Sequence, residues 1–141
     1  MYCGLQDLID RFGELELVQL TDFDGYQSVN TVILDQSIAD AESEINSYLR
    51  QRYALPLFIN PPELVAIACD ITRFRLMRDG ASDAVTKRYE LAVSFLKNLS
   101  SGKAVLPIEV TDITLPTTTR AALPKVSATD AVFSDQFLSR L

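Results

Sequence analysis

Residues 31–57 read TVILDQSIADAESEINSYLRQRYALPL, and their spacing leaves little choice of conformation. Leu34, Ile38, Ala41, Ile45, Tyr48 and Arg52 recur at steps of four and three, with Leu49 beside them. That periodicity predicts one amphipathic helix of about five turns. Asp40, Glu42, Glu44 and Gln51 fall on the other face and are expected to meet water. Pro56 must end the helix, because it drives Leu55 out of the α region and brings no N–H. The chain is therefore expected to reverse around Pro56, before Asn60-Pro61-Pro62 opens a second helix.

The second helix is predicted from Pro62 to about residue 79, with Pro62 in the first turn and Gly80 as the stop. Leu64, Ile67, Ala68, Ile71 and Phe74 form its stripe, which Val65, Cys69 and Leu76 widen past half the circumference. A helix so apolar packs on more than one side. Ser82 or Asp83 caps a third helix near 83–101, with Val85, Tyr89, Ala92, Leu96 and Leu99 in register and Gly102 at its end. Upstream, Leu5, Leu8, Ile9 and Phe12 predict a short helix closed by Gly13. Leu15, Leu17, Val18 and Leu20 suggest a further short turn, and residues 21–25 a loop.

After Lys103 the pattern changes. Pro107, Pro116 and Pro124 rule out a long helix, and Leu106, Ile108 and Val110, then Ile113 and Leu115, alternate as in an edge strand. Thr129 to Leu138 can form a last short helix, with Val132, Phe133 and Phe137 as its apolar contacts. The fold class expected is all-α: a small bundle of three long antiparallel helices plus short N-terminal helices, with an extended C-terminal arm. Residues 1–102 would form the bundle and 103–141 the arm. Leu64, Ile67, Ile71, Ile45, Tyr89 and Leu96 are expected to be buried together.

At 141 residues the chain is long enough for one real core. An apolar share of 48% beside 23% charged residues fits a globular domain, and no apolar run reaches the ~18–20 residues of a membrane span. No signal peptide is evident, and Cys3 and Cys69 lack metal spacing, so a reducing, cytosolic setting is expected. The net charge of −6 is uneven: residues 1–48 hold ten acids and a single base, Arg11. Acidic excess usually serves solubility and argues against a nucleic-acid footprint.

The absence of histidine removes Ser-His-Asp and Cys-His catalysis and every His-bearing zinc motif. There is no glycine-rich phosphate loop. Asp22-x-Asp24-Gly25 resembles the start of a calcium loop, but the glycine comes too early and no Glu closes it, so an acidic turn is the better reading. Glu14, Glu16, Asp22 and Asp24 cluster, as the carboxylates of a cell-wall hydrolase do, but no acid–base pair is defined and a solvated acidic face is strongly the better reading. Neither an enzymatic activity nor a cofactor is expected. Arg52 and Arg75 sit inside the apolar arcs of their helices. They either extend to the edge of the core or enter an ion pair, with Asp70 as the nearest candidate.

The run Asp40-Ala41…Ile45…Tyr48-Leu49…Arg52-Tyr53-Ala54-Leu55-Pro56-Leu57 resembles the signature of Mu-like prophage neck proteins. Pro62…Leu64 with Cys69-Asp70-Ile71, Arg88-Tyr89…Ala92…Leu96 and Gly102-Lys103…Leu106 are similar in the same order, as are Met1-Tyr2, Leu8 and Phe12-Gly13. The resemblance covers roughly residues 1–106. It implies a virion structural protein of a tailed phage or prophage, a head–tail connector (head-completion adaptor) located in the virion neck after assembly in the host cytoplasm. It further implies a homo-oligomeric, dodecameric ring below the portal protein, in contact with tail or tail-completion proteins, through which DNA passes without specific binding, and no membrane partner. Interface candidates are Arg52, Tyr53, Pro56, Asp70 and Arg75 in the bundle, and Ile108, Val110, Ile113, Leu115, Phe133 and Phe137 in the arm. The alternative is a small helical DNA-binding packaging or regulatory protein, for which Arg73, Arg75 and Arg78 are the available basic cluster.

Overall fold

The computed structural model describes residues 1–25, 27–77 and 80–108. Five α-helices follow one another: α1 (Leu5–Phe12), α2 (Glu14–Thr21), α3 (Thr31–Leu49), α4 (Pro62–Leu76) and α5 (Asp83–Ser101). The described residues contain no strand. Helices α3, α4 and α5 pack against one another, and the short helices lie against them, α1 on α4 and α2 on α3.

Local chemistry sets the boundaries. Gly13 takes φ +90 with ψ 147 between α1 and α2, an extended conformation at positive φ that is essentially glycine's alone and costs a side-chain-bearing residue about 1–3 kcal/mol. The Asn30 side chain accepts from the Val32 and Ile33 N–H groups at the start of α3, and Ser82 accepts from the Val85 N–H at the start of α5. Thr21 joins α2 to α3. Its buried hydroxyl donates to the Leu17 carbonyl at 2.7 Å and accepts from the Asn30 N–H at 2.9 Å. Gly102 closes α5 in the left-handed region.

The core is built where the stripes predicted it. Leu34, Ile38, Ala41, Ile45 and Leu49 of α3 meet Leu64, Ile67, Ala68, Cys69 and Ile71 of α4, with Ala92, Leu96 and Leu99 of α5. Full burial of an aliphatic side chain of this size stabilises by about 1.5–3 kcal/mol. Tyr89, expected among them, is half-buried and packs at the margin, because its hydroxyl has a carboxylate to reach.

Three boundaries differ from the sequence reading. Helix α3 ends at Leu49 and not near residue 54. The Arg52 and Tyr53 N–H groups both turn back to the Leu49 carbonyl, which directs Tyr53 into the core. The chain reverses over residues 50–61, as Pro56 requires, and the Leu55–Pro56 peptide is cis. Helix α4 ends at Leu76, where Met77 leaves helical geometry and its N–H is shared by the Arg73 and Phe74 carbonyls. Finally, the segment after Gly102 stays on the bundle at first. Leu106 is buried, Ala104 and Ile108 pack on the core, and the Leu106 N–H donates to the Tyr53 hydroxyl at 3.1 Å. The arm, which the sequence leaves free to pack on its own bundle or on a neighbour, is thus part of the core over 104–108. Val110, Ile113, Leu115, Phe133, Phe137 and the expected helix over Thr129–Leu138 lie outside the described residues.

Candidate functional site

The polar groups inside the bundle are placed to hold helices together. Glu44, expected on the wet face of α3, is instead mostly covered. Its carboxylate accepts from the Arg75 guanidinium at 2.6 Å and from the Tyr89 hydroxyl at 2.8 Å, so one side chain of α3 ties α4 and α5. The Tyr89 ring stacks on Phe74 with centroids 4.1 Å apart. Burial, and then the Glu44 carboxylate, push the Tyr89 phenol up to about 12. Arg73 of α4 forms two hydrogen bonds to Glu16 of α2, at 2.7 and 3.1 Å, and lies over the Phe12 ring.

Asp70 and Arg75 do not pair. They sit five residues apart on one helix, about 140° round its axis, so their side chains diverge. Asp70 accepts from Arg88 of α5 at 3.0 and 3.4 Å, while Arg75 goes to Glu44. Arg52 makes no ion pair among the described residues. Its guanidinium lies so close to Gly102 that any Cβ there would overlap it. Tyr53 is the buried acceptor for the Leu106 N–H, and Pro56 lies exposed in the reversal. The structure therefore brings Tyr53 to Leu106 and Arg52 to Gly102, and leaves Asp70, Arg75 and Pro56 in separate places.

The N-terminal segment is fixed over the end of α3. The Met1 ammonium donates to Glu42 at 3.1 Å, the Tyr2 hydroxyl bonds Asn46, and Asn60 donates to the Tyr2 carbonyl at 2.9 Å. Burial, followed by the Glu42 charge, pushes the Tyr2 phenol up to about 12. Cys3 and Cys69 are free and buried beside Thr72. The Cys69 thiol is pushed up by its hydrogen bond with Cys3 and by burial, which favours an unreactive protonated sulfur. In the acidic turn, Asp22 accepts from the backbone N–H groups of Asp24, Gly25, Gln27 and Ser28. Those bonds, Gln27 and Gly25 foremost, hold its carboxyl below the ordinary range.

The bundle also leaves large apolar side chains exposed. In the reversal, Phe58 is 89% exposed and Ile59 51%. Val32 on the first turn of α3 is 77% exposed. It borders a groove of ≈ 800 Å³ lined by Ile33 and Gln36 of α3, Phe74 of α4, and Met77, Gly80 and Ala81 beyond it. A second groove, ≈ 330 Å³, runs between α4 and α5 beside the exposed Leu91. Sequence periodicity missed these features, since a loop has no period and a groove depends on how helices cross. The one available signal was Phe58-Ile59 lying between prolines, where no stripe could bury them.

The comparisons with known proteins agree with one another. The family model described as Bacteriophage Mu, Gp36 matches residues 2–124, further than the 1–106 over which the resemblance could be read from motifs. The chain is 31% identical over 115 residues to the Mu-like prophage FluMu protein gp36 of Haemophilus influenzae, covering 82% of each chain. It is 30% identical over 105 residues to Gene product J of Escherichia phage Mu, covering 72% of this chain and 73% of the other. A match spanning nearly the whole described structure, shared by a phage protein and a prophage protein, assigns the chain to the phage Mu Gp36 family.

Proposed function

We propose that the chain is a head–tail connector subunit, a structural protein that assembles into a ring below the portal and lets DNA pass toward the tail. The observation that carries this reading is membership of a phage Mu family over residues 2–124, on a bundle in which Arg73, Arg75 and Arg88 join helices through Glu16, Glu44 and Asp70. The exposed Phe58 and Ile59 are apolar surface of the kind that subunit contacts cover. Exposed carboxylates in the first 48 residues, such as Asp10, Glu14 and Asp24, would repel phosphate along a channel and let a duplex slide. The DNA-binding alternative needs Arg73 and Arg75 as phosphate contacts, and these already serve Glu16 and Glu44. Arg78 lies outside the described residues.

Light scattering of the purified chain across concentrations, with negative-stain images, tests the proposal. Closed rings at high concentration are the expected result. A chain that stays monomeric throughout, or that is retained on DNA in a salt-dependent manner, would overturn it.

A further inference from the structure

We infer that copies of this chain join head to tail, the Phe58–Ile59 loop of one seating in the groove beside Val32 and Met77 of the next. The inference rests on the ring reading above and adds the polarity and the anchor residues of its contact. Three observations carry it.

The first is position. The groove lies along the first turns of α3 and the end of α4, while the loop follows the end of α3 and precedes α4. Residues 36 and 50 are about 21 Å apart along α3 at 1.5 Å per residue, and residues 62 and 76 about as far apart along α4. Both helices thus place loop and groove at opposite ends of the bundle, and a copy cannot fill its own groove with its own loop. Two different, complementary patches on one chain make a heterologous contact, which closes into a ring when the rotation between copies allows.

The second is charge. The loop end carries Arg50 and Lys103, both exposed, and Arg52, against one exposed carboxylate, Glu63 in the first turn of α4, none of them in an ion pair among the described residues. The groove end carries Asp35 and Asp40, both exposed and likewise without an ion pair there, and Asp40 accepts from its own helix neighbour Gln36; the cation that also lines the groove, Arg75, is neutralised by Glu44. The net balance among the described residues, positive at the loop and negative at the groove, favours the head-to-tail approach and disfavours loop against loop or groove against groove.

The third is chemistry. The groove offers Val32, Ile33, Phe74, Met77 and Ala81 to an incoming aromatic ring. A phenylalanine buries about 150–250 Å², a fraction of the roughly 800 Å² per partner of a stable interface. Phe58 is therefore the central anchor, and flanking surface supplies the remaining area.

The test uses two variants of the full chain, each with one face intact. Phe58→Ser removes the anchor, and Val32→Lys with Asp40→Arg charges the groove against Arg50. All three positions are exposed, and thermal melts matching wild type establish that both variants fold. Each variant alone should need at least about thirtyfold more protein to assemble than wild type. Mixed one to one, they should form two-chain complexes and stop, because one competent contact remains per pair. Either variant assembling at the wild-type concentration, or a mixture that stays monomeric, overturns this interface while ring formation by wild type keeps the connector reading. Wild type that never assembles overturns both.

Discussion

Residues 50–61 and helix α4 are neighbours in the chain and both are rich in apolar side chains, yet they place them oppositely. In α4, Leu64, Ile67, Ala68, Cys69, Ile71 and Leu76 are all buried. In the reversal Tyr53 is buried and Leu55 and Leu57 are partly covered, while Phe58 and Ile59 stand in water. A helix has a period, so a repeated spacing aims its residues at one another. A segment interrupted by Pro56, Pro61 and Pro62 has none, and each of its side chains lies where the local turn leaves it. Apolar residues on α4 maintain the fold; those at the tip of the reversal are available to a partner.

The sharpest way to break this contrast is in α4. Ile71→Ala should cost about 2–5 kcal/mol in chemical denaturation, through lost transfer energy and the cavity left behind. A loss under ~0.5 kcal/mol would place Ile71 outside the core. Next, ending the chain after Lys103 removes the buried Leu106 and should cost about 1.5–3 kcal/mol, measured the same way. An unchanged midpoint would show that residues 104–108 add nothing to the core.

Glu44→Ala should cost roughly 1–3 kcal/mol, since it strips both Arg75 and Tyr89 of their acceptor. Alkali probes the same contact. Tyr89 and Tyr2 are raised from 10.0 to about 12 in the fold, so folding holds their protons. The associated stability is complete below about pH 10 and is lost as pH rises through about 12. Denaturation midpoints flat from pH 9 to 12 would contradict that. Gly102→Ala should cost roughly 1–2 kcal/mol, for the left-handed backbone and the displaced Arg52, visible as a lower melting temperature. Phe58→Ser should change stability by no more than about 0.5 kcal/mol while weakening association, the smallest folding effect and the one that best separates reversal from helix.

Much of the fold is legible in the sequence. The α5 stripe ran from a Ser82 cap to Gly102, and the helix occupies those bounds, because cap, period and stop all agreed. The end of α3 was less legible. Arg52 lies in helical register with Tyr48, yet the backbone turns back at Leu49 so that Tyr53 can reach Leu106, a contact 53 residues away in sequence that no local pattern encodes. The partners of Arg75 and Asp70 were hidden for a related reason. Helix spacing shows that the two diverge, but choosing Glu44 for one and Arg88 for the other requires the crossing of α3, α4 and α5. Glu44 itself appeared solvent-facing, because its charge was visible in the sequence and its two donors were not.

The Thr21 hydroxyl has a consequence for how this family can vary. By bonding the Leu17 carbonyl and the Asn30 N–H it clips shut both ends of the loop over residues 22–29, independently of what that loop contains. Closure entropy grows slowly with length, about 0.6 kcal/mol for each doubling. A peptide tag as long as the loop itself, inserted after Ser28 beyond the bonds made by Asp22, would therefore leave α2 and α3 in register. That makes the loop a place where related chains can lengthen, and where a label can be carried, at little cost to the helices on either side.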